Sequence, residues 1–331
     1  MMASPRQRRA PRMTATAGRI VLPDEAGLRL AVEILRADSV VAFPTETVYG
    51  LGGNALSEKA VAEIYRLKQR PSWNPLIVHV ANVAAARSLA EDWPEVANEL
   101  AARFWPGPLT LVVTRARHLT GMGAADATVA VRVPAHNVAL QLLEACRLPL
   151  AAPSANRSES LSPTTAQHVL RSLPEVPLVL DGGAATLGIE STVLDVTGEA
   201  PRLLRPGALG LREIRDLVGA IDLPGEVADG SARPSPGMSR RHYAPRARVL
   251  LSDDPRADDD RTGILTYEGA GQDGPNVELL SADPGEYAAD LYAALHRLDD
   301  AGVATIIVRN PPPGEEWLAI RDRLTRAAAT S

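Results

Sequence analysis

Cysteine is almost absent from this chain of 331 residues, where Cys146 stands alone. A disulfide framework and a cysteine-cluster metal site are therefore excluded. Its setting, LQLLEACRLPL, is apolar, and there a thiol reads as a small buried hydrophobe. Lysine is nearly as scarce: Lys59 and Lys68 are the two among 35 basic residues, the rest being arginine. In so Ala- and Arg-rich a chain, a retained lysine reads as one kept for its chemistry. Long hydrophobic runs are missing too, and no stretch approaches the ~20 apolar residues that span a bilayer. Excess positive charge is also lacking. A net charge of −5 argues against a generic polyanion-binding surface and confines any nucleotide site to a local basic pocket. The opening MMASPRQRRAPRMTATAGR is Arg-rich without an apolar core, so it does not read as a secretory signal. Residues 1–18 read as a disordered leader, with Met13 as an alternative start, and a cytoplasmic location is expected.

What is present is organised in two parts, as the length leads one to expect. Over residues 19–223, helical spacing at 28–36, 60–68 and from 84 alternates with β-rich runs at 39–43, 76–80, 109–114, 129–133, 178–180 and 191–196. Strict strand–helix alternation is absent, which points to an α+β domain with a large mixed sheet. Residues 224–246 are dense in Pro, Gly and Ser and read as a linker. Beyond it, strands at 248–251, 262–266, 277–280 and 303–308 with helices at 286–300 and 316–328 predict a small doubly wound α/β domain over 247–331.

No phosphate-binding Gly-rich signature of the G-x-x-x-x-G-K or G-x-G-x-x-G kind occurs. Polar residues gather instead in several loops that follow strands, where α/β sheets place ligands. FPTETVYGLGGNA (43–55) offers Thr45, Thr47 and glycines that allow close backbone approach. In IYRLKQRPSWNPLIVHV (64–80), Lys68 and Arg70 end a helix, where its dipole alone favours cations. That does not account for Asn74, or for His79 in an apolar strand. Arg132 lies in the Val-rich VAVRV, and burying it demands an anionic partner. An internal carboxylate and a substrate carboxylate both meet that demand. AAPSANRSESLSPTT (151–165) is rich in small hydroxyls suited to phosphate oxygens, and Asp181–Gly207 adds Ser191, Thr192 and Arg205.

The segments PTETVYGLGGNA, KQRPSWNPLIVHV, FWPGPLTLVV, VAVRVP, AAPSANRSESLSPTT, DGG…GIESTVLDV and LLRPG follow in an order that resembles the YrdC-like threonylcarbamoyl-AMP synthases. SPGMSRRHYAP resembles the interdomain segment of their long, two-domain form. The resemblance implies an α+β YrdC-like domain with a large mixed twisted sheet, followed by a small α/β Rossmann-like domain. It is looser at the end, where PPPGEEWLAIRDRL stands in place of an expected Gly-Leu-Gly stretch. It also implies a nucleotidyltransferase that joins L-threonine, bicarbonate or CO2 and ATP into threonylcarbamoyl-AMP and pyrophosphate. The product would serve N6-threonylcarbamoyladenosine modification of tRNA through a tRNA threonylcarbamoyl-transferase complex. Mg²⁺ would accompany ATP, with no protein metal ligands, no membrane and no direct DNA binding.

Position by position, the resemblance assigns Thr47, His79, Arg132 and Ser191 to threonine, with Arg132 on its carboxylate and help from the backbone of Ala152. ATP falls to Arg70, Asn74, Thr128, Ser154, Ser162 and Arg205, with Lys68 on the phosphates and Asn156 ordering the loop. Lys68 and Arg70 would be catalytic. Tyr243 would fold the linker over the nucleotide as a lid that keeps water from the carbamate. The competing reading is a non-catalytic double-stranded RNA or tRNA-binding protein. Negative net charge and the Thr, Ser and Asn among the cations disfavour it. Threonine-dependent pyrophosphate release separates the enzyme from salt-sensitive RNA binding.

Overall fold

The computed structural model describes residues 18–117, 127–223, 242–257, 259–268 and 274–329. In chain order the first part contains β1 (Arg19–Val21), α1 (Glu25–Arg36), β2 (Val40–Phe43), β3 (Gly50–Asn54), α2 (Glu58–Lys68), β4 (Ile77–His79), α3 (Val83–Arg87), α4 (Glu95–Phe104) and β5 (Leu109–Thr114). It continues with β6 (Thr128–Arg132), α5 (Asn137–Cys146), β7 (Leu150–Ala151), α6 (Ala166–Ser172), β8 (Leu178–Leu180), β9 (Thr192–Asp195), β10 (Arg202–Arg205) and α7 (Leu211–Val218). Side-chain caps fix several helix starts. Asp24, Ser57, Asn82 and Thr165 each accept a backbone N–H of the first turn of α1, α2, α3 and α6.

The ten strands form one sheet in the order β1-β8-β2-β3-β7-β4-β6-β5-β9-β10. Parallel pairs (β1 with β8, β4 with β6, β5 with β9) mix with antiparallel ones such as β2 with β3 and β5 with β6. One face is covered by α2, α4, α6 and α7, whose Ile64, Leu100, Val169 and Ile214 pack on Val78, Leu111, Val131 and Leu194. On the other face α1 and α5 cover only the half that carries Val41, Phe43, Leu150 and Leu180. The remaining half bears a small apolar group, Ile77, Val112, Ala130, Val193 and Leu204. With a side-chain period of two, His79 shares that face with Ile77, Arg132 with Ala130, and Ser191 with Val193. The polar residues thus stand where the helices stop.

β3 departs from the sequence expectation, which placed a loop over 43–55. Two of its glycines are strand residues crowded by neighbours: Gly52 by the Phe43 ring of neighbouring β2, and Gly53 by Ala60 and Ile64 of α2 and by Val40. A Cβ on Gly52 would lie 2.6 Å from Phe43 Cε1.

The second part contains β11 (Arg248–Ser252), β12 (Thr262–Thr266), β13 (Val277–Leu279), α8 (Pro284–Asp300), β14 (Thr305–Arg309) and α9 (Leu318–Ala328). Its four strands are all parallel, in the order β11-β14-β12-β13, as a doubly wound domain requires. The buried Tyr287, Leu291, Ile306 and Leu324 form a core that continues into Val48, Leu161 and Ile189 of the first part and Tyr243 of the linker segment. Most of the expected linker, residues 224–241, lies outside the described residues. Among the described residues no helix is long and apolar enough to cross a membrane.

Candidate active site

Six strands supply most of the wall of one pocket. Thr45 and Thr47 follow β2, and His79 and Arg132 end β4 and β6, which run parallel with His79 opposite Arg132. Ser191 precedes β9 and Arg205 ends β10. Ala152, Pro153 and Ser154 follow β7, and Arg70, Glu190, His242 and Tyr243 join the lining with Val48, Gly50 and Ile77.

At one end Arg132 is 3 % exposed and three of its nitrogens are engaged. Nη2 donates to Glu46 Oε1 at 2.6 Å, Nη1 to Thr47 Oγ1 at 3.0 Å and Nε to the Gly107 carbonyl at 3.1 Å. The Thr47 hydroxyl also pairs with Thr45 Oγ1 at 2.8 Å. An internal carboxylate therefore partners Arg132. A guanidinium has five N–H groups, so two still point elsewhere. His79 lies beside it, with Nδ1 buried and unpartnered, and Phe43 edge-on to its ring. Burial, then the charge of Arg132, lower its pKa to about 3, so the imidazole is neutral at physiological pH.

At the other end Arg205 donates through Nε and Nη2 to the Ser191 carbonyl and through Nη2 to Ser191 Oγ at 3.1 Å. Ser191 Oγ also meets Thr110 Oγ1 at 2.8 Å. Arg70 is buried, and Asn74 orients it by accepting from Nη2 at 2.6 Å and from Nε through its carbonyl at 3.2 Å. Burial lowers the Arg70 pKa to about 10, and the group remains charged at neutral pH. The Tyr243 hydroxyl and His242 Nδ1 are buried without hydrogen-bond partners. Buried orphans of this kind are rare in a folded protein, and their concentration around one pocket marks a ligand site.

The structure brings Thr47, His79, Arg70, Arg132, Ala152, Ser154, Ser191, Arg205 and Tyr243 together. It puts the other expected residues behind the wall. Lys68 Nζ donates to the carbonyls of Ser154 and Asn156, each at 2.6 Å, so its ammonium braces the loop instead of facing a phosphate. Burial, then Arg70, push its pKa well below the usual lysine value. Asn156 closes the same loop through Nδ2 on the carbonyls of Arg157 and Ser160. Asn74 acts through Arg70. Ser162 Oγ donates to Glu190 Oε1 at 2.5 Å. Thr128 begins β6, two pleats along from Arg132 and outside the lining. The Ala152 N–H is spent on the Ile77 carbonyl, so a backbone contribution there rests on the Ala152 carbonyl.

Two carboxylates were missed in the sequence reading. Glu46 sat within PTETVYG between two threonines, and its position there was a usable signal. Glu190 offered none, because its partner Arg323 arrives from the second domain, 133 residues away.

Residues 33–207 match the model of the Sua5/YciO/YrdC family, described as "Telomere recombination". Residues 210–329 match that of the threonylcarbamoyl-AMP synthase C-terminal domain. The chain belongs to the threonylcarbamoyl-AMP synthase family. Within this family, the threonylcarbamoyl-AMP synthase of Pyrococcus abyssi is 41 % identical over 326 residues, covering 92 % of this chain and 95 % of that one. The Bacillus subtilis enzyme of the same name is 40 % identical, covering 90 % and 92 %. The crystal structure of P. abyssi Sua5 complexed with L-threonine superposes with a TM-score of 0.84 at 39 % identity, covering 94 % of this chain and 97 % of that one. The YrdC-like α+β fold and the separate small parallel-sheet domain expected from the sequence are those of this family.

Proposed function

We propose that the protein is an L-threonylcarbamoyladenylate synthase, a nucleotidyltransferase that condenses L-threonine, bicarbonate or CO2 and ATP into threonylcarbamoyl-AMP and pyrophosphate. The observation that carries this reading is the division of one pocket. A carboxylate-binding corner (Arg132, Thr47, neutral His79) faces a phosphate-binding corner (Arg70, Arg205, Ser154, Tyr243). The chemistry requires such a division. The threonine amine takes up CO2 as a carbamate, and a carbamate oxygen attacks the α-phosphorus. The Pα–O bond to the leaving pyrophosphate then breaks.

The remaining Arg132 N–H groups would take the threonine carboxylate bidentately. Ser191 lines the pocket beside Arg205, and its hydroxyl accepts from that guanidinium. Arg70 and Arg205 are preorganised cations for charge on the transferring phosphoryl group. Among the described lining residues there is no nucleophile–base pair, and positioning together with exclusion of water would supply the catalysis. Tyr243 at the end of the linker segment would close over the nucleotide.

Among the described residues no group of three or more His, Cys, Asp or Glu side chains could hold a metal. Mg²⁺ would enter as part of the Mg·ATP substrate, bound by phosphate oxygens and water, as is usual for this ion. The product is a substrate for a tRNA threonylcarbamoyl-transferase complex. The test is pyrophosphate release from ATP, with mass spectrometry of the adenylate. Release that depends on both threonine and bicarbonate is expected. Turnover indifferent to threonine, or salt-sensitive RNA binding without turnover, would overturn the reading.

A further inference from the structure

The interface between the two domains contains a buried ion pair that touches the pocket. Arg323 of α9 is 1 % exposed. Its Nε donates to Glu190 Oε2 at 2.8 Å, and its guanidinium carbon lies 4.9 Å from the centre of the Tyr243 ring. Glu190 is fully engaged on that side. Oε1 accepts from Ser162 Oγ at 2.5 Å, and the Tyr292 hydroxyl of α8 meets both oxygens at 3.3 and 3.2 Å. Glu190 and Tyr243 both line the pocket, and Glu190 is the single acidic residue in the described lining, among Arg70, Arg132, Arg205 and His242.

A lone carboxylate within a cationic phosphate site is a competitor for the anion the site must bind. We propose that Arg323 is a positioning residue for ATP, holding Glu190 in the domain interface and leaving Arg70 and Arg205 to the phosphates. This rests on the reaction proposed above. Burial by itself would raise the Glu190 pKa, and the charges of Arg323 and Arg205 together with the hydrogen bonds from Ser162 and Arg323 bring it below the ordinary value. Arg205 lines the same pocket as Glu190 and is a cation the released carboxylate would meet should Arg323 be removed. The same guanidinium forms the platform under Tyr243, a cation–π contact that fixes the ring facing the nucleotide. The second domain is in this sense part of the active site.

The test compares Arg323→Met, Glu190→Gln, the double variant, and Arg215→Ala, which removes an ion pair with Glu315 on the outer rim of the same interface. Calorimetric Kd values for ATP and for L-threonine are measured beside KM and kcat for pyrophosphate release. Arg323→Met should weaken ATP by at least about 10-fold while leaving threonine within about 2-fold. The double variant should recover most of that loss, because a neutral Gln no longer competes for Arg205. Arg215→Ala should behave as wild type. Should Arg323→Met fail to fold by circular dichroism, the double variant, which buries no unpaired charge, carries the comparison. Equal losses for both ligands, no loss, or a double variant worse than the single would overturn the assignment. Wild-type protein that binds ATP without threonine-dependent turnover would overturn the reaction reading alone, and the ATP Kd values would still decide for or against Arg323.

Discussion

Arg132 meets Glu46 before any ligand arrives, which changes what its removal does. Arg132→Ala deletes the carboxylate clamp and also strands a buried anion, so threonine binding should fall by roughly 2–5 kcal/mol. ATP affinity should change far less, and calorimetry with each ligand distinguishes the two; equal losses would make the residue purely structural. Lys68 makes a related point. Its compact ammonium fits between two carbonyls at 2.6 Å, a place a planar guanidinium cannot fill. Lys68→Arg should lose turnover, whereas Lys59→Arg, at an exposed site on the Ala37 carbonyl, should be silent in the same assay. At this scale the sequence exposed the anomalies: a charged residue in VAVRV and a lysine kept among arginines. It could not give their partners. Whether an arginine meets Glu46 or a substrate, and whether a lysine faces a phosphate or a backbone carbonyl, is decided by tertiary geometry.

Among the elements, β3 was the least legible. Four of its five residues carry no side chain that a hydrophobic period could register (GLGGN has one Leu), so the stretch resembled a loop. The Phe43 ring at Gly52 and the Ala60 and Ile64 side chains at Gly53 crowd the strand, and none of these is a local sequence signal. Lys68, Arg70 and Asn74 were legible as a helix end running into a loop, and Gln69 in the left-handed conformation makes that turn. Gly188 shows the same dependence on a neighbour. Its φ is +69°, and a Cβ there would lie 2.2 Å from the Ala289 carbonyl oxygen of α8. Gly188→Ala should cost about 2–4 kcal/mol through backbone strain and forced separation of α8. A thermal melt should record the loss as a clear fall in Tm. An unchanged melt would mean that the two domains are not held at this point.

For the whole molecule, the two-part organisation was evident in composition, but the depth of mutual burial was not. Contacts such as Glu190 with Arg323 join positions far apart in the chain and have no local period. Two histidines meet at that interface. His168 of α6 stacks on His296 of α8 at 3.8 Å across the interface, and His296 Nε2 meets the Ser162 carbonyl. Burial first, then neighbouring charge, lowers His168 to about 3 and His79 to about 3, and burial also lowers His296 and His242. Each has a folded pKa below its unfolded value near 6.5, so the unfolded chain binds more protons in acid. The corresponding stability is complete above pH ~6.5 and is lost as the pH falls towards the folded values, by up to ~1.4 kcal/mol per unit for each fully buried group. Denaturant melts at pH 7.5 and 5 should show a marked drop. A flat profile would contradict neutral burial of these rings.

The confinement of Lys68 has a consequence for chemical labelling. Acylating reagents attack only the unprotonated, accessible amine, and in the folded protein the two lysines differ completely in access: Lys59 is exposed and Lys68 is 1 % exposed. Lys59 should therefore react at once, while Lys68 should react only during excursions in which the Ser154–Asn156 carbonyls release it. With a fast reagent in excess, the rate of mass gain on the Lys68 peptide is a stopwatch for the opening of that loop. Saturating ATP and threonine should slow it without touching Lys59. Simultaneous labelling of both lysines would show that the loop does not hold its cation.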